Sequence, residues 1–246
     1  MNRLSRDDVL VRAKLAEQAE RFRDMSQAMK ALAEMGTDLT NDERNMFSFG
    51  YKNVVGKLRS SWRVVSSMEQ QCEEEEPWKF EKIQIYREKI QAEIEATCLE
   101  VSQLIDNHLM RLASNDEAKV FYLKMKGDYF RYQAEVVGDP DRRRKIVSTA
   151  DRSYKEAIEV AESSLRPVNP IRLGLVLNYS VFLYEVKAAN KRAIKLAKEA
   201  FEEALQELDA FRDDAYKDST IVMQLIRDNV SMWSSSDGPP IDLLPD

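Results

Sequence analysis

The chain has 246 residues, of which 43% are hydrophobic and 33% are charged, so it carries enough apolar side chains for a folded core and is not a disordered chain. Only 7 glycines and 7 prolines interrupt it, and this shortage of helix breakers favours long helices. The formal net charge of −6 argues against a protein that binds nucleic acid through a basic surface.

Other classes of protein are also disfavoured. No run approaches the about 18 apolar residues that a membrane-spanning helix needs, and the charged start MNRLSRDDVLVRAK lacks the apolar core of a signal peptide, which predicts a cytoplasmic location. The two cysteines, Cys72 and Cys98, form neither a disulfide framework nor a metal cluster. We therefore expect no metal and no cofactor, and the single histidine, His108, is expected late in a helix rather than in a catalytic triad.

The hydrophobic spacing predicts nine helices and no strand, joined by short turns. In chain order the predicted helices span about residues 4–19, 22–36, 41–72, 78–111, 115–137, 141–164, 170–187, 190–212 and 218–234. Thr40 with Glu43, and Ser114 with Glu117, read as capping boxes at the starts of the third and fifth helices. The predicted fold class is all-α, with antiparallel helices in TPR-like layers over residues 1–233 and a flexible tail over 234–246.

The segment KMKGDYFRY, from Lys124 to Tyr132, concentrates basic and aromatic side chains in an acidic chain. Lys124 and Arg131 are seven residues apart and therefore share one face of a helix. Local positive charge of this kind indicates an anionic partner, whereas Asp128 is expected to position the helix rather than to bind the ligand.

Three further stripes place polar groups at a spacing that normally marks a buried seam. They are Lys52 with Arg59 on the third helix, Asn178 with Glu185 on the seventh, and Ile221, Leu225, Asn229 and Trp233 on the ninth. Such polar residues usually lie on the solvent-exposed surface, and this interpretation stays open for each stripe. The alternative is a phosphate site, since arginine matches phosphate oxygens with two parallel hydrogen bonds and amide side chains can pair with a peptide backbone.

Long ordered strings give the chain a resemblance to the 14-3-3 proteins over nearly its full length. They include AKLAEQAERF (13–22), NDERN (41–45), YKNVVG (51–56), SSWRVVSS (60–67), YREKI (86–90), KVFYLKMKGDY (119–129), NPIRLGL (169–175), YKDST (216–220) and MQLIRDN (223–229). The resemblance implies a non-enzymatic, all-helical dimeric adaptor whose third, fifth, seventh and ninth helices line an amphipathic groove for phosphoserine or phosphothreonine peptides.

The resemblance also assigns the groove residues. Phosphate binding falls to Lys52, Arg59, Arg131 and Tyr132, with Lys124 alongside. Peptide binding falls to Asn178, Asn229, Glu185 and Trp233, with an apolar wall of Leu177, Val181, Ile221, Val222 and Leu225. The implied partners are phosphorylated client proteins, which could also carry the protein into the nucleus, with neither nucleic acid nor a membrane span involved.

A homodimer, or a heterodimer with other family members, is implied as well. Its interface would set the first two helices of one protomer against the third and fourth of the other, through Leu15, Ala19, Arg21 and Asp24 facing Ser61, Val65, Tyr86, Lys89 and Glu93. The expected cross-subunit ion pairs join Arg21 to Glu93 and Asp24 to Lys89. Two rival functions stay open on the residues alone: a phosphate-independent helical scaffold, and an enzyme that uses buried carboxylates.

The chain departs from the family pattern in several places. Lys57-Leu58-Arg59 stands where two adjacent arginines are usual, which makes phosphorylation of Ser61 by basophilic kinases less expected, and Phe47-Ser-Phe-Gly50 replaces a string of small aliphatic residues. The basic segment 137–145 reads either as a solvated loop or as an extra electrostatic contact.

Overall fold

The computed structural model describes residues 5–72, 77–210 and 217–235. Over these residues it contains nine helices and no strand, so the all-α prediction is confirmed. The helices are α1 Arg6–Gln18, α2 Phe22–Glu34, α3 Asn41–Gln71, α4 Pro77–Leu104, α5 Asp116–Val136, α6 Pro140–Ser164, α7 Pro170–Val181, α8 Asn190–Ala210 and α9 Lys217–Ser234. Residues 73–76, between the third and fourth helices, and most of the predicted tail lie outside the described residues.

Two of the helices continue through wider turns. A π turn, Ile105–Leu109, and a last short turn, Met110–Leu112, extend α4, while a second π turn, Phe182–Val186, extends α7. Such turns insert an extra residue into the helical ladder and often occur at functional sites. Among the described helices, none is long and apolar enough to cross a membrane.

Of the two predicted N-terminal capping boxes, one is confirmed and the other lies at the neighbouring residue. Thr40 and Glu43 form the expected capping box, with Thr40 Oγ1 accepting from the Glu43 amide at 3.3 Å and Glu43 Oε2 accepting from the Thr40 amide at 2.9 Å. The prediction for Ser114 was wrong by one residue, because α5 begins at Asp116 and Asn115 Oδ1 accepts from the Ala118 amide at 2.8 Å. Asparagine caps a helix about as well as serine does, so the sequence offered two adjacent candidates.

The chain divides into two compact units. The first comprises residues 5–72, 77–113 and 132–143, and in it α1 to α4 pack as successive neighbours. Its core includes Met25, Leu32, Phe47 and Tyr51, all with almost no exposed surface. The departure at Phe47 therefore has a packing role, since its ring fills the core 5.0 Å from that of Tyr51.

The second unit comprises residues 114–131, 144–210 and 217–235. An aromatic stack fills its centre, with the ring of Tyr154 5.2 Å from Tyr179 and 5.3 Å from Phe182. Asp151 on α6 accepts hydrogen bonds from Tyr179 at 3.0 Å and from Lys187 at 2.9 Å. These bonds fix α7 and its π turn against α6.

The basic segment 137–145 is exposed over residues 138–145, but most of it is helix, and the electrostatic contact that it makes lies within the chain. Pro140 opens α6, so the arginines lie in the first turns of a helix and not in a loop. Arg142 pairs with Glu95, and Arg143 Nε donates to the Ala134 carbonyl at 3.0 Å. Both side chains therefore connect elements within the first unit.

Candidate functional site

In the first unit, the predicted phosphate residue Arg59 is held by a carboxylate. Arg59 Nε donates to Glu135 Oε2 at 2.7 Å, and Arg63 Nε donates to Glu135 Oε1 at 2.6 Å. Arg59 and Arg63 lie one turn apart on α3, so both reach the same carboxylate of α5. Two guanidinium groups share one carboxylate, and these three groups together are net positive.

An aromatic ring holds the other side of Arg59. The guanidinium carbon lies 4.2 Å from the centre of the Tyr132 ring, the geometry of a cation–π contact. Tyr132 is itself buried, and the Arg59 side chain is only 13% exposed, so neither group swings freely in water. The structure thus brings together Arg59 and Tyr132, while Lys52 lies half-buried two turns earlier on α3.

In the second unit, the predicted residues Lys124 and Asn178 meet at the buried carboxylate of Asp128. Lys124 Nζ lies 3.0 Å from Asp128 Oδ2, and Asn178 Nδ2 donates to both carboxylate oxygens at 2.9 and 3.0 Å. Tyr154 OH donates to Asp128 Oδ1 at 2.5 Å. Asp128 therefore connects α5, α6 and α7, in the positioning role that the sequence suggested for it.

A glycine next to the carboxylate makes this arrangement possible. A Cβ atom on Gly127 would lie 2.8 Å from the ring of Tyr154, closer than real Cβ atoms approach other heavy atoms. The bare backbone therefore lets the Tyr154 ring lie against α5, where its hydroxyl reaches Asp128.

Asp128 stays ionised although it is buried. Burial disfavours the charged carboxylate, but the charges of Lys124 and Arg131 and the hydrogen bonds from Tyr154 and Lys124 outweigh it, so the pKa of Asp128 is lowered. One carboxylate thus interacts with Lys124 and Arg131, two of the four basic residues that were predicted to bind phosphate. Lys124, Arg131 and Asp128 together leave a net positive charge in this part of the second unit.

On α9, two of the predicted peptide-binding residues present buried N–H groups. Asn229 Nδ2 and Trp233 Nε1 are enclosed but have no hydrogen-bond partner among the described residues. The Trp233 ring stacks on Tyr184 with a centroid distance of 4.6 Å and an angle of 11°, which fixes its orientation. A buried donor without an acceptor costs about 1–3 kcal/mol, and an incoming peptide carbonyl would remove that cost.

The other predicted peptide residues occupy mixed positions in the second unit. Leu177 and Val181 are buried in the chain, Val222 and Leu225 are half-buried, and Ile221 is exposed. Glu185 is exposed and lies in the π turn after α7. The seven-residue spacing from Asn178 to Glu185 therefore crosses a change of helix type, and the α-helical argument for a shared face does not apply to this pair.

Sequence reasoning missed Glu135 and Tyr184. The signal for Glu135 was its position four residues after Arg131, together with the four-residue spacing of Arg59 and Arg63, but nothing in the sequence placed α3 beside α5. Tyr184 looked like an ordinary core aromatic, and only the structure shows it stacked on Trp233.

The expected dimer residues lie on the first unit, several of them on its surface. Leu15 is 60% exposed, and Ala19 and Tyr86 are exposed as well, whereas Val65 is half-buried. Within one chain, Arg21 pairs with Asp24 at 2.5 Å.

The expected cross-subunit ion pairs remain predictions. Glu93, the expected partner of Arg21, pairs with Arg23 of the same chain at 3.2 Å. Forming the cross-subunit pairs would require these groups to exchange partners.

Ser61, another residue expected at the dimer interface, is exposed, and its hydroxyl donates to the Lys57 carbonyl at 3.0 Å.

The metal-ligating and thiol side chains of the described residues bear on the expectation of no metal site. They contain no group of three or more His, Cys, Asp or Glu side chains that could hold a metal ion. Burial raises the pKa of Cys98 to about 12, so this thiol is protonated at neutral pH and is a poor nucleophile.

Basic side chains held by carboxylates in each unit, and buried N–H donors in the second, are features expected of a helical protein that binds anionic peptides. The 14-3-3 protein family model matches residues 12–234. The 14-3-3 protein beta/alpha of Bos taurus is 51% identical over 94% of each chain. The 14-3-3 protein zeta of Bombyx mori is 50% identical over 94% of this chain and 93% of its own, and the 14-3-3-like protein 2 of Caenorhabditis elegans is 50% identical over 94% and 92%.

The chain therefore belongs to the 14-3-3 family, as its sequence strings had indicated. It is a phosphoserine- and phosphothreonine-binding adaptor, of a family that acts by binding client proteins rather than by catalysis.

Proposed function

We propose that Arg59, Arg131 and Tyr132, assisted by Lys52 and Lys124, bind the phosphate group of a client. The observation that carries this proposal is the fixed guanidinium of Arg59, held between the Glu135 carboxylate and the Tyr132 ring. A phosphorylated side chain carries a charge of about −1.5 to −2 near neutral pH and offers three strong acceptor oxygens. Preoriented guanidinium groups match those oxygens without losing much conformational entropy on binding.

The peptide around the phosphorylated residue would bind through α7 and α9. The buried N–H groups of Asn229 and Trp233 would donate to its carbonyl oxygens. Asn178, whose amide nitrogen is held by Asp128, would contribute a further contact to the peptide, and Glu185 would flank it. An apolar wall for the client's side chains would come from Leu177, Val181, Ile221, Val222 and Leu225.

The first test compares a phosphoserine peptide with its unphosphorylated twin by calorimetric titration. Charge-assisted hydrogen bonds contribute about 1.5–3 kcal/mol each, so losing the phosphate should weaken binding by more than about a hundredfold. Raising the ionic strength should lower the affinity of the phosphorylated peptide only, since salt screens the contact between the phosphate and the basic side chains. Equal affinities of the two peptides would overturn this proposal and favour a phosphate-independent scaffold.

We further propose that the protein acts as a dimer, pairing with a second copy or with another family member. The exposed apolar side chains of Leu15, Ala19 and Tyr86 support this, because a soluble chain gains by covering them. A dimer presents two peptide sites, so a doubly phosphorylated client would gain avidity if its linker spans both. Such binding would regulate a client's activity, location or assembly, in the cytoplasm and, through clients, in the nucleus.

The dimer has its own test. Replacing Tyr86 with alanine is expected to raise the dimer dissociation constant by at least about thirtyfold, since buried aromatic anchors contribute about 2 kcal/mol or more. Sedimentation velocity over a concentration series measures the change, and Leu15→Glu should act in the same direction. A wild-type monomer at micromolar concentration, or a dimer indifferent to both substitutions, would contradict the proposed interface.

A further inference from the structure

One serine outside the helices follows an arginine by three residues. Over the described parts of the chain, the serines and threonines outside helices are Ser5, Thr37, Thr40, Ser114 and Ser235. Arg111 stands three residues before Ser114, and none of the other four has a basic residue at that distance. A basic residue at this position is what basophilic kinases recognise, and its loss at Leu58 is what makes Ser61 less expected as their substrate.

The backbone around Ser114 has the form that a kinase requires. Ala113 and Ser114 belong to no helix, and the ψ angle of 109° at Ala113 is that of extended rather than helical backbone. Arg111 and Ser114 are both exposed. Because Asn115 provides the N-cap of α5, the start of that helix does not depend on the Ser114 side chain as its cap.

A second serine has a more basic sequence context but an unsuitable structure. Residues 143–145, which are two arginines and a lysine, precede Ser148 by five to three positions, so the sequence alone favours Ser148 over Ser114. Ser148 is exposed but lies inside α6, between the buried residues Ile146 and Ala150. Extending this segment into a kinase cleft would break helical hydrogen bonds and withdraw both apolar side chains from the core.

We propose that Ser114 is a phosphorylation site for a basophilic serine/threonine kinase that recognises Arg111. The proposal is independent of the peptide site and of the dimer proposed above. In the reaction, Ser114 Oγ attacks the γ-phosphorus of Mg-ATP and forms an O–P bond, while the bond from that phosphorus to the β–γ bridging oxygen breaks and ADP leaves. The hydroxyl proton passes to the catalytic aspartate of the kinase. Arginine suits recognition because its planar fork forms two parallel hydrogen bonds with a carboxylate of the kinase.

Phosphorylation would make the start of α5 strongly acidic. The phosphate adds a charge of about −1.5 to −2 close to Asp116 and Glu117, in the first turn of the helix. Lys124 lies ten residues after Ser114, about 15 Å further along at 1.5 Å per residue, which exceeds the screening length of about 8 Å at physiological ionic strength. The modification should therefore change the affinity for a phosphoserine peptide by less than about twofold.

The test incubates the full chain with Mg-ATP and a purified calmodulin-dependent protein kinase, of the kind that requires arginine three residues before serine. Trypsin then releases residues 112–119, in which Ser114 is the only hydroxyl side chain, and residues 146–152, which contain Ser148. Mass spectrometry is expected to find phosphate on the first fragment, at least about tenfold above the second. Ser114→Ala should abolish that signal and Ser148→Ala should leave it unchanged.

Arg111→Ala tests the recognition itself. It should lower kcat/KM for phosphorylation of Ser114 by about tenfold to a hundredfold, since it removes a charge-assisted contact, and Arg111→Lys should restore part of the rate. Arg111 is exposed, so circular dichroism should be unchanged in both variants.

Synthetic peptides spanning 108–118 and 142–152 separate the motif from the fold. Both are expected to be phosphorylated, because neither is held in a helix. A folded chain that takes phosphate mainly on Ser148, or on neither serine while the peptides react, would overturn the proposal. So would a peptide 108–118 that is not a substrate, or an Arg111→Ala rate within about twofold of the wild type. A tenfold change in phosphoserine-peptide affinity after phosphorylation would contradict the separation of Ser114 from the peptide site.

Discussion

Replacing Arg59 with alanine is expected to weaken binding of a phosphoserine peptide by about tenfold to more than a hundredfold. The change removes at least one charge-assisted hydrogen bond to phosphate, worth about 1.5–3 kcal/mol. It also leaves Glu135 with Arg63 alone, which lowers the positive charge near the phosphate. Calorimetric titration of the wild type and the variant with the same peptide measures the loss.

Two other substitutions separate charge from geometry at this position. Arg59→Lys keeps the charge but loses the planar fork and the stacking on Tyr132, so it should recover only part of the affinity. Arg63→Ala removes the other guanidinium from the same carboxylate, but this side chain is 47% exposed and its effect should stay below about threefold. A loss at Arg63 as large as at Arg59 would contradict the assignment of phosphate binding to Arg59.

The elements most predictable from the sequence are those that depend on local chemistry. The helices could be predicted from the scarcity of glycine and proline and from the capping box at Thr40, because those signals act within a few residues. Where two caps stood side by side, at Ser114 and Asn115, local chemistry could not choose between them. The π turn over Phe182–Val186 was also missed, since hydrophobic spacing assumes an α-helix throughout.

The candidate site depended on contacts that spacing does not encode. Periodicity selected Arg59 and Lys124, yet it could not show which carboxylate holds each of them. Glu135 and Asp128 are two acidic residues in a chain with 43, and only packing distinguishes them from solvated ones.

The largest effect on folding is expected at Asp128. Asp128→Ala should lower the free energy of unfolding by about 3–5 kcal/mol, because it strands the ammonium of Lys124 and the donors of Tyr154 and Asn178. Urea denaturation measures the loss, with the m-value unchanged if the substitution acts on the folded state. Asp128→Asn is the matched control: it keeps the shape and one acceptor oxygen, so it should cost distinctly less.

The pH dependence of unfolding provides an independent check on the same carboxylate. Because the pKa of Asp128 is lowered in the folded protein from its ordinary value of 3.8, its ionised form stabilises the fold fully above that value. This contribution is lost as the pH falls below 3.8 and through the folded pKa, where the carboxylate takes up a proton. The difference in unfolding free energy between the wild type and Asp128→Asn should therefore be constant near neutral pH and shrink in acid. A difference that stays constant down to the lowest pH at which the wild type remains folded would show that the charge of Asp128 is not what stabilises this network.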